Sequence, residues 1–215
     1  MNVLLAGQKW FVGEVFSALQ KAGVNVLAVS VPAGDQLADR ARSAGVTVLE
    51  GDPLTARLMP DGIDLIVAAH SHDFIGEKTR LRARYGGIGY HPSLLPLHRG
   101  KDAIRWAVKM GDRVTGGTVY QLSNRVDGGE VLLQKHAFIR RDDTAKELWR
   151  RSLGPLGVAL LAEVAGNYEA RYWLRGEAQD ESLATWEPSI GRPPLHRPDL
   201  ALLPYISSGS GSGCE

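Results

Sequence analysis

Short apolar runs alternate with amphipathic stretches through the first half of the chain: NVLLA at 2–6, VNVLAVSV at 24–31, VTVLE at 46–50 and IDLIVAA at 63–69. Runs of this length, rich in Val, Ile and Leu, are those of strands buried on both faces. After the first of them, Val12, Val15, Phe16 and Leu19 fall on one face of a helix over 12–22, with Gly23 as its stop. Residues 35–44 repeat the scheme with Leu37, Ala41 and Ala44. Strand and helix in this alternation predict an α/β chain with a doubly wound, mostly parallel sheet and helices on both faces, in a single domain. In such sheets ligands collect beyond the carboxyl ends of the strands, which makes 7–11, 70–76 and 91–101 the segments to search for chemistry.

The second half reads differently. TGGTVYQL at 115–122 and EVLLQKHAFI at 130–139 are two β-rich segments joined by SNRVDGG. Residues 143–166 read as a long helix with Leu148, Leu153, Leu156, Leu160, Leu161 and Val164 inward, and Gly154 and Pro155 predict a kink in it. From residue 174 the text turns to loop chemistry, and it ends in SSGSGSGCE. The organisation expected is a core domain over 1–173, an extension over 174–206 packing on it, and a disordered Gly/Ser tail over 207–215.

Composition narrows the function classes. The chain has 215 residues, 44% of them hydrophobic, enough to bury one full core. Its 25 Lys and Arg against 24 Asp and Glu give a net charge of +1, which argues against nucleic acid as a partner. One cysteine, Cys214, excludes an intrachain disulfide and any cysteine-based metal cluster. The opening MNVLLAGQKWFVG has neither a basic leader nor an apolar run long enough for export, and no stretch approaches a membrane span. A cytoplasmic protein with no membrane partner is expected, and a homodimer is compatible with this reading.

The densest chemistry lies in GGIGYHPSLLPLHRGKDAIRWAVKMGD, 86–112. A strand runs into His91, Pro92 stops it, and a helix begins near Asp102. The second block, 115–132, offers Asp127 followed by Gly128 and Gly129, a tight turn. Read alone, a histidine beside a proline and an Asp-Gly-Gly turn serve structure as readily as catalysis. Likewise His70-x-His72-Asp73 after an apolar strand admits a metal site, since alternate strand positions share a face. His98, His136 and His196 read as surface or structural.

The spacing of HPSLLP, the RG pair, the AIRWA helix start, TGGT at 115–118 and DGGEVL at 127–132 resembles the 10-formyltetrahydrofolate-dependent formyltransferase family, which includes glycinamide ribonucleotide, methionyl-tRNA and sugar-nucleotide enzymes. The resemblance spans about 2 to 187 and is strongest over 86–132. It implies that His91 and an Asp 36 positions later, Asp127, are catalytic, with Thr118 ordering the Asp. His91 would donate to the oxyanion or manage protons, and Asp127 would take the amine proton directly or through water. No metal is required. By family position, Ser71, His72, Asp73, Phe74, Ile75, Asn124 and Val126 would hold the folate, 10-formyltetrahydrofolate or tetrahydrofolate.

One departure stands out. The family usually carries Asn two positions before the His, where its amide stabilises the formyl oxygen; here that position is Gly89. One oxyanion donor is worth about 2.7–4 kcal/mol, so the candidates to replace it are His72, Ser71, Asn124 or a water. On the acceptor side Lys9 and Trp10 stand where a Gly-rich phosphate loop would lie, and Arg99 and Lys101 open a helix. Formyl transfer to a small amine, an amino sugar or amino acid, is the reading; hydrolysis of the formyl-folate and a catalytically altered folate-binding protein are the alternatives.

Overall fold

A computed structural model describes residues 1–71, 73–168 and 176–190. Seven strands form one sheet in the order β3-β2-β1-β4-β5-β6-β7: β1 (Asn2–Gly7), β2 (Asn25–Val31), β3 (Thr47–Glu50), β4 (Leu65–Ala69), β5 (Gly87–His91), β6 (Val114–Gln121) and β7 (Val131–Phe138). The first five are parallel, and β6 and β7 run antiparallel to their neighbours. The chain winds outward through β2 and β3, then returns to place β4 beside β1. That reversal opens a crevice at the carboxyl ends of the central strands.

Helices α1 (Lys9–Lys21), α2 (Gln36–Ser43) and α6 (Gly154–Gly166) share the larger core cluster. The predicted inward residues Val12, Val15, Phe16, Leu19, Leu37 and Ala41 are buried there; Ala44 instead caps α2 and is exposed. On the opposite face Leu4, Ile66 and Ala68 pack against Leu54, Met59 and Ile63, from the Pro- and Gly-punctuated stretch 51–63, and Ala83, just beyond α3 (Glu77–Arg80). A fourth helix, α4 (Ala103–Met110), links β5 to β6.

The expected long helix is interrupted. Thr144 and Glu147 form a reciprocal capping box that starts α5 (Ala145–Leu148), and Trp149–Leu153 forms a π-helical turn before α6. Pro155 has no N–H to donate to the preceding turn, and the helix widens there. The widened turn is where Tyr90 docks: its hydroxyl donates to the Leu153 carbonyl at 2.7 Å. The ring needs a slot without side chains, and Gly117 of β6 and Gly157 of α6 provide it; a Cβ on Gly157 would lie 2.5 Å from the ring.

Residues 176–190 lie as a strap across the carboxyl end of the sheet. Glu177 exchanges backbone hydrogen bonds with Val131, Thr185 accepts from Arg99 and donates to Pro96, and Trp106 Nε1 donates to the Pro188 carbonyl at 2.7 Å. Buried charges pin it. Arg99, 3% exposed, forks onto Gln179 and both oxygens of Glu181. His98 is buried between Glu187, 3.0 Å from Nδ1, and Asp112, 2.9 Å from Nε2. With both ring nitrogens donating, the imidazole is best satisfied as a cation. The hydrogen bond to Glu187, aided by that to Asp112, raises its pKa despite burial. Trp186, Thr185 and the remaining strap thus close over the 93–100 loop. The expected tail over 207–215 and His196 lie outside the described residues.

Two outcomes follow. Gly157→Ala should lower stability by about 1–3 kcal/mol, because the methyl group overpacks the Tyr90 slot, a change read from the urea midpoint. For His98 the folded pKa is raised, so its contribution is fully present below the ordinary histidine value of about 6.5 and is lost as pH rises through the folded value. His98→Gln should therefore cost more stability at about pH 6 than at about pH 9 in paired thermal melts. An equal cost at both would contradict the charged clamp.

Candidate active site

The antiparallel join of β5 and β6 sets Gly89 opposite Tyr120 and His91 opposite Thr118. Directly opposed residues project from the same face, so these four side positions form one patch at the end of β5. His91 is buried, and its Nε2 lies 2.7 Å from the His98 carbonyl. A carbonyl only accepts, so Nε2 carries a hydrogen. Nδ1 is then the atom that gains or loses a proton, and it faces Asp127 Oδ2 at 3.5 Å.

Asp127 is gripped from several sides. Its backbone is left-handed, with φ +50°. Oδ2 accepts from the Gly100 N–H at 2.8 Å, Oδ1 accepts from the Tyr120 hydroxyl at 2.6 Å, and its carbonyl accepts from Gln179 of the strap at 2.8 Å. Burial, reinforced by the neighbouring Asp127 carboxylate, holds the Tyr120 hydroxyl well above the usual phenol range. The site therefore contains a neutral phenol joined to a carboxylate that also faces an imidazole.

Tyr120 also explains Gly89. A Cβ there would lie 3.2 Å from the phenol Cζ and hydroxyl and 3.0 Å from Leu122 Cδ2, so the phenol occupies the room beside the missing side chain. Of the replacements expected from sequence, Ser71 Oγ turns to the Asp73 carbonyl at 3.4 Å. Asn124 Oδ1 accepts from Arg80 Nη2 at 2.6 Å, while Arg80 Nη1 holds the Ile75 carbonyl at the same length. Buried Arg80 thus braces the loop after β4 against the loop after β6. His72 lies outside the described residues. Sequence reasoning missed both Tyr120 and Arg80. The signal for Tyr120 was available only through the β5–β6 register, which no local pattern specifies.

A cleft of about 850 Å³ opens over this patch. Ser71, Asp73, Phe74, Ile75 and Val126 line one side, and Lys101, Arg105, Lys146 and Trp149 line another. Asn124 does not reach it with its side chain, which is committed to Arg80. Lys9 and Trp10 border an adjoining hollow of about 540 Å³ with Phe11, His70, Trp149 and Arg150. Two sequence-based assignments are corrected. Thr118 does not order Asp127: its hydroxyl donates to the Ser93 carbonyl at 2.7 Å and accepts from Leu95 N and Gln134 Nε2, fixing the loop after His91. Arg99 does not face the acceptor side, being buried on the strap. His136 is exposed beside Phe138, and among the described residues no group of three or more His, Cys, Asp or Glu has metal-binding geometry.

Comparison with known proteins gives the frame for this geometry. Human cytosolic 10-formyltetrahydrofolate dehydrogenase is 35% identical over 87% of this chain and 22% of its own length. Methionyl-tRNA formyltransferase of Anaeromyxobacter dehalogenans is 36% identical over 79% of this chain and 59% of its own. The chain thus spans about a fifth of the length of the dehydrogenases it matches. Among solved structures, glycinamide ribonucleotide transformylase 1 from Symbiobacterium toebii superposes with a TM-score of 0.70 at 24% identity, covering 84% of this chain and 94% of that one. An N-formyltransferase from Helicobacter canadensis, in complex with folinic acid and dTDP-3-aminofucose, gives 0.68 at 16% identity, covering 86% and 69%. These likenesses establish the fold, and the formyl transferase family model matches residues 1–164. The chain belongs to the formyl transferase family.

Proposed function

We propose that this chain moves the formyl group of 10-formyltetrahydrofolate to the amine of a small molecule, with His91 and Asp127 managing the protons. The observation that carries the reading is the His91–Asp127 pair at the floor of the cleft. The folate-related names and ligands of the relatives support the donor. So does the cleft, whose volume suits such a ligand. Phe74, Ile75 and Val126 would supply apolar wall, and backbone groups of the 71–75 and 121–127 loops would read the pterin edge. Once bound, the donor supplies an activated formyl carbon.

The residues would act on protons. Asp127, directly or through a water, takes the proton that the attacking amine must lose. His91 Nδ1, facing the same carboxylate, can hold or return it toward the departing folate nitrogen, while Nε2 stays on the His98 carbonyl. With Nε2 so engaged, His91 works as a proton manager rather than an oxyanion donor. Lys101, Arg105 and Lys146 on the opposite rim favour an acceptor carrying a negative group, and Trp10 with Trp149 offers flat surface beyond it.

The test is incubation of 10-formyltetrahydrofolate with panels of amino sugars, nucleotide-linked amines and amino acids, quantifying tetrahydrofolate, formate and N-formyl product together. Formyl product is expected; formate alone would make the chain a hydrolase. His91→Ala should keep the affinity for 5-formyltetrahydrofolate within about tenfold, near 1.4 kcal/mol, while turnover falls by about two decades or more. Loss of folate affinity with the imidazole would contradict this division of roles.

A further inference from the structure

We infer that the Tyr120 hydroxyl is the group that stabilises the reacting formyl oxygen, in place of the amide that Gly89 lacks. The inference rests on the formyl-transfer reading above. Four observations carry it. Tyr120 faces the cleft directly across the β5–β6 pair from Gly89. Its hydroxyl sits 3.2 Å from where a residue-89 Cβ would be, inside the reach of an Asn side chain at that position. Among the described residues, two other side-chain donors beside the patch are engaged elsewhere: His91 Nε2 on the His98 carbonyl and Ser71 on the Asp73 carbonyl. Finally, the hydroxyl is already joined to Asp127, the proposed proton acceptor, at 2.6 Å.

That last contact sets the order of events. A phenol has one hydrogen, and at rest it goes to the Asp127 carboxylate. When the amine nitrogen bonds to the formyl carbon, the carbonyl pair moves onto oxygen and the nitrogen's proton passes to Asp127. The protonated carboxyl then donates to the phenol oxygen, and the phenol hydrogen turns to the oxyanion. On collapse the carbonyl re-forms and the carbon–nitrogen bond to the folate breaks. The electron pair stays on the folate nitrogen, which takes the proton from Asp127 by way of His91 Nδ1. The amine has lost one proton, the folate nitrogen has gained one, and Tyr120 keeps its own. The donor becomes available only as negative charge develops, which favours the transition state over the bound reactants.

The experiment compares four variants with wild type, following consumption of 10-formyltetrahydrofolate with water and hydroxylamine as acceptors and calorimetric binding of 5-formyltetrahydrofolate. Tyr120→Phe should lower kcat by about 100- to 1,000-fold and leave folate affinity within about threefold. Gly89→Asn alone should lower kcat too, because its Cβ meets Leu122 and the phenol. Tyr120→Ala opens that space, and Gly89→Asn added to Tyr120→Ala should recover at least about tenfold over Tyr120→Ala by restoring an amide. A role for Tyr120 confined to positioning Asp127 leaves that double variant as slow as Tyr120→Ala, and overturns the inference. Full activity in Tyr120→Phe overturns it as well while leaving the formyl-transfer reading intact. A wild-type chain that neither binds 5-formyltetrahydrofolate nor consumes the formyl donor overturns both.

Discussion

Reversal of strand direction between β5 and β6 is the constraint on which the candidate site depends. A parallel neighbour would need a long crossover connection and would not set Tyr120 opposite Gly89 and Thr118 opposite His91. The antiparallel β6 instead leaves its own carboxyl end beside the start of β5, and its partner β7 returns along it, so the turn carrying Asp127 folds back over the patch. The strap completes the geometry by gripping that turn's carbonyls at residues 127 and 129 through Gln179. Placement of Tyr90 in its glycine-lined slot fixes β5 from below. His91, one residue later, is thereby aimed at the opposite face.

Much of this was legible in the sequence. Strands β1 to β4 announce themselves as Val, Ile and Leu runs because both of their faces are buried, and the faces of α1 and α2 follow from helical spacing. His91 and Asp127 were legible through their separation in a familiar motif. The rest depended on long-range facts. Thr118 and Tyr120 alternate on one strand with the same local text around them. Only pairing with His91 and Gly89 shows that the first supports a loop and the second reaches Asp127. Arg99 looks like an exposed cation beside a helix start, and its burial is caused by Gln179 and Glu181 some eighty positions away. Gly154 and Pro155 predicted a kink; the helix has a π turn just before them, and Tyr90 donates to the Leu153 carbonyl at its end.

The two walls of the cleft are built by different means. Arg80 ties the 75 and 124 loops through hydrogen bonds from one buried guanidinium, a rigid arrangement suited to a ligand of fixed shape. The opposite rim consists of long cationic side chains and exposed tryptophan, which adapt to what lies against them. Rigidity on one wall and adaptability on the other suit the donor and acceptor placements proposed above.

The family match ends at residue 164, yet two buried cations of the matched region take carboxylate partners from beyond it. Arg99 and His98 lie inside it, and carboxylates at 181 and 187 compensate them. Severing the chain near 164 would uncover the Arg99 guanidinium and leave the His98 imidazole with Asp112 as its one carboxylate partner. It would also release the carbonyl that orients His91, since the His98 backbone N–H is held by Thr185. The stretch matched by the family and the stretch tied together by these ion pairs therefore have different borders, and the second reaches to Glu187.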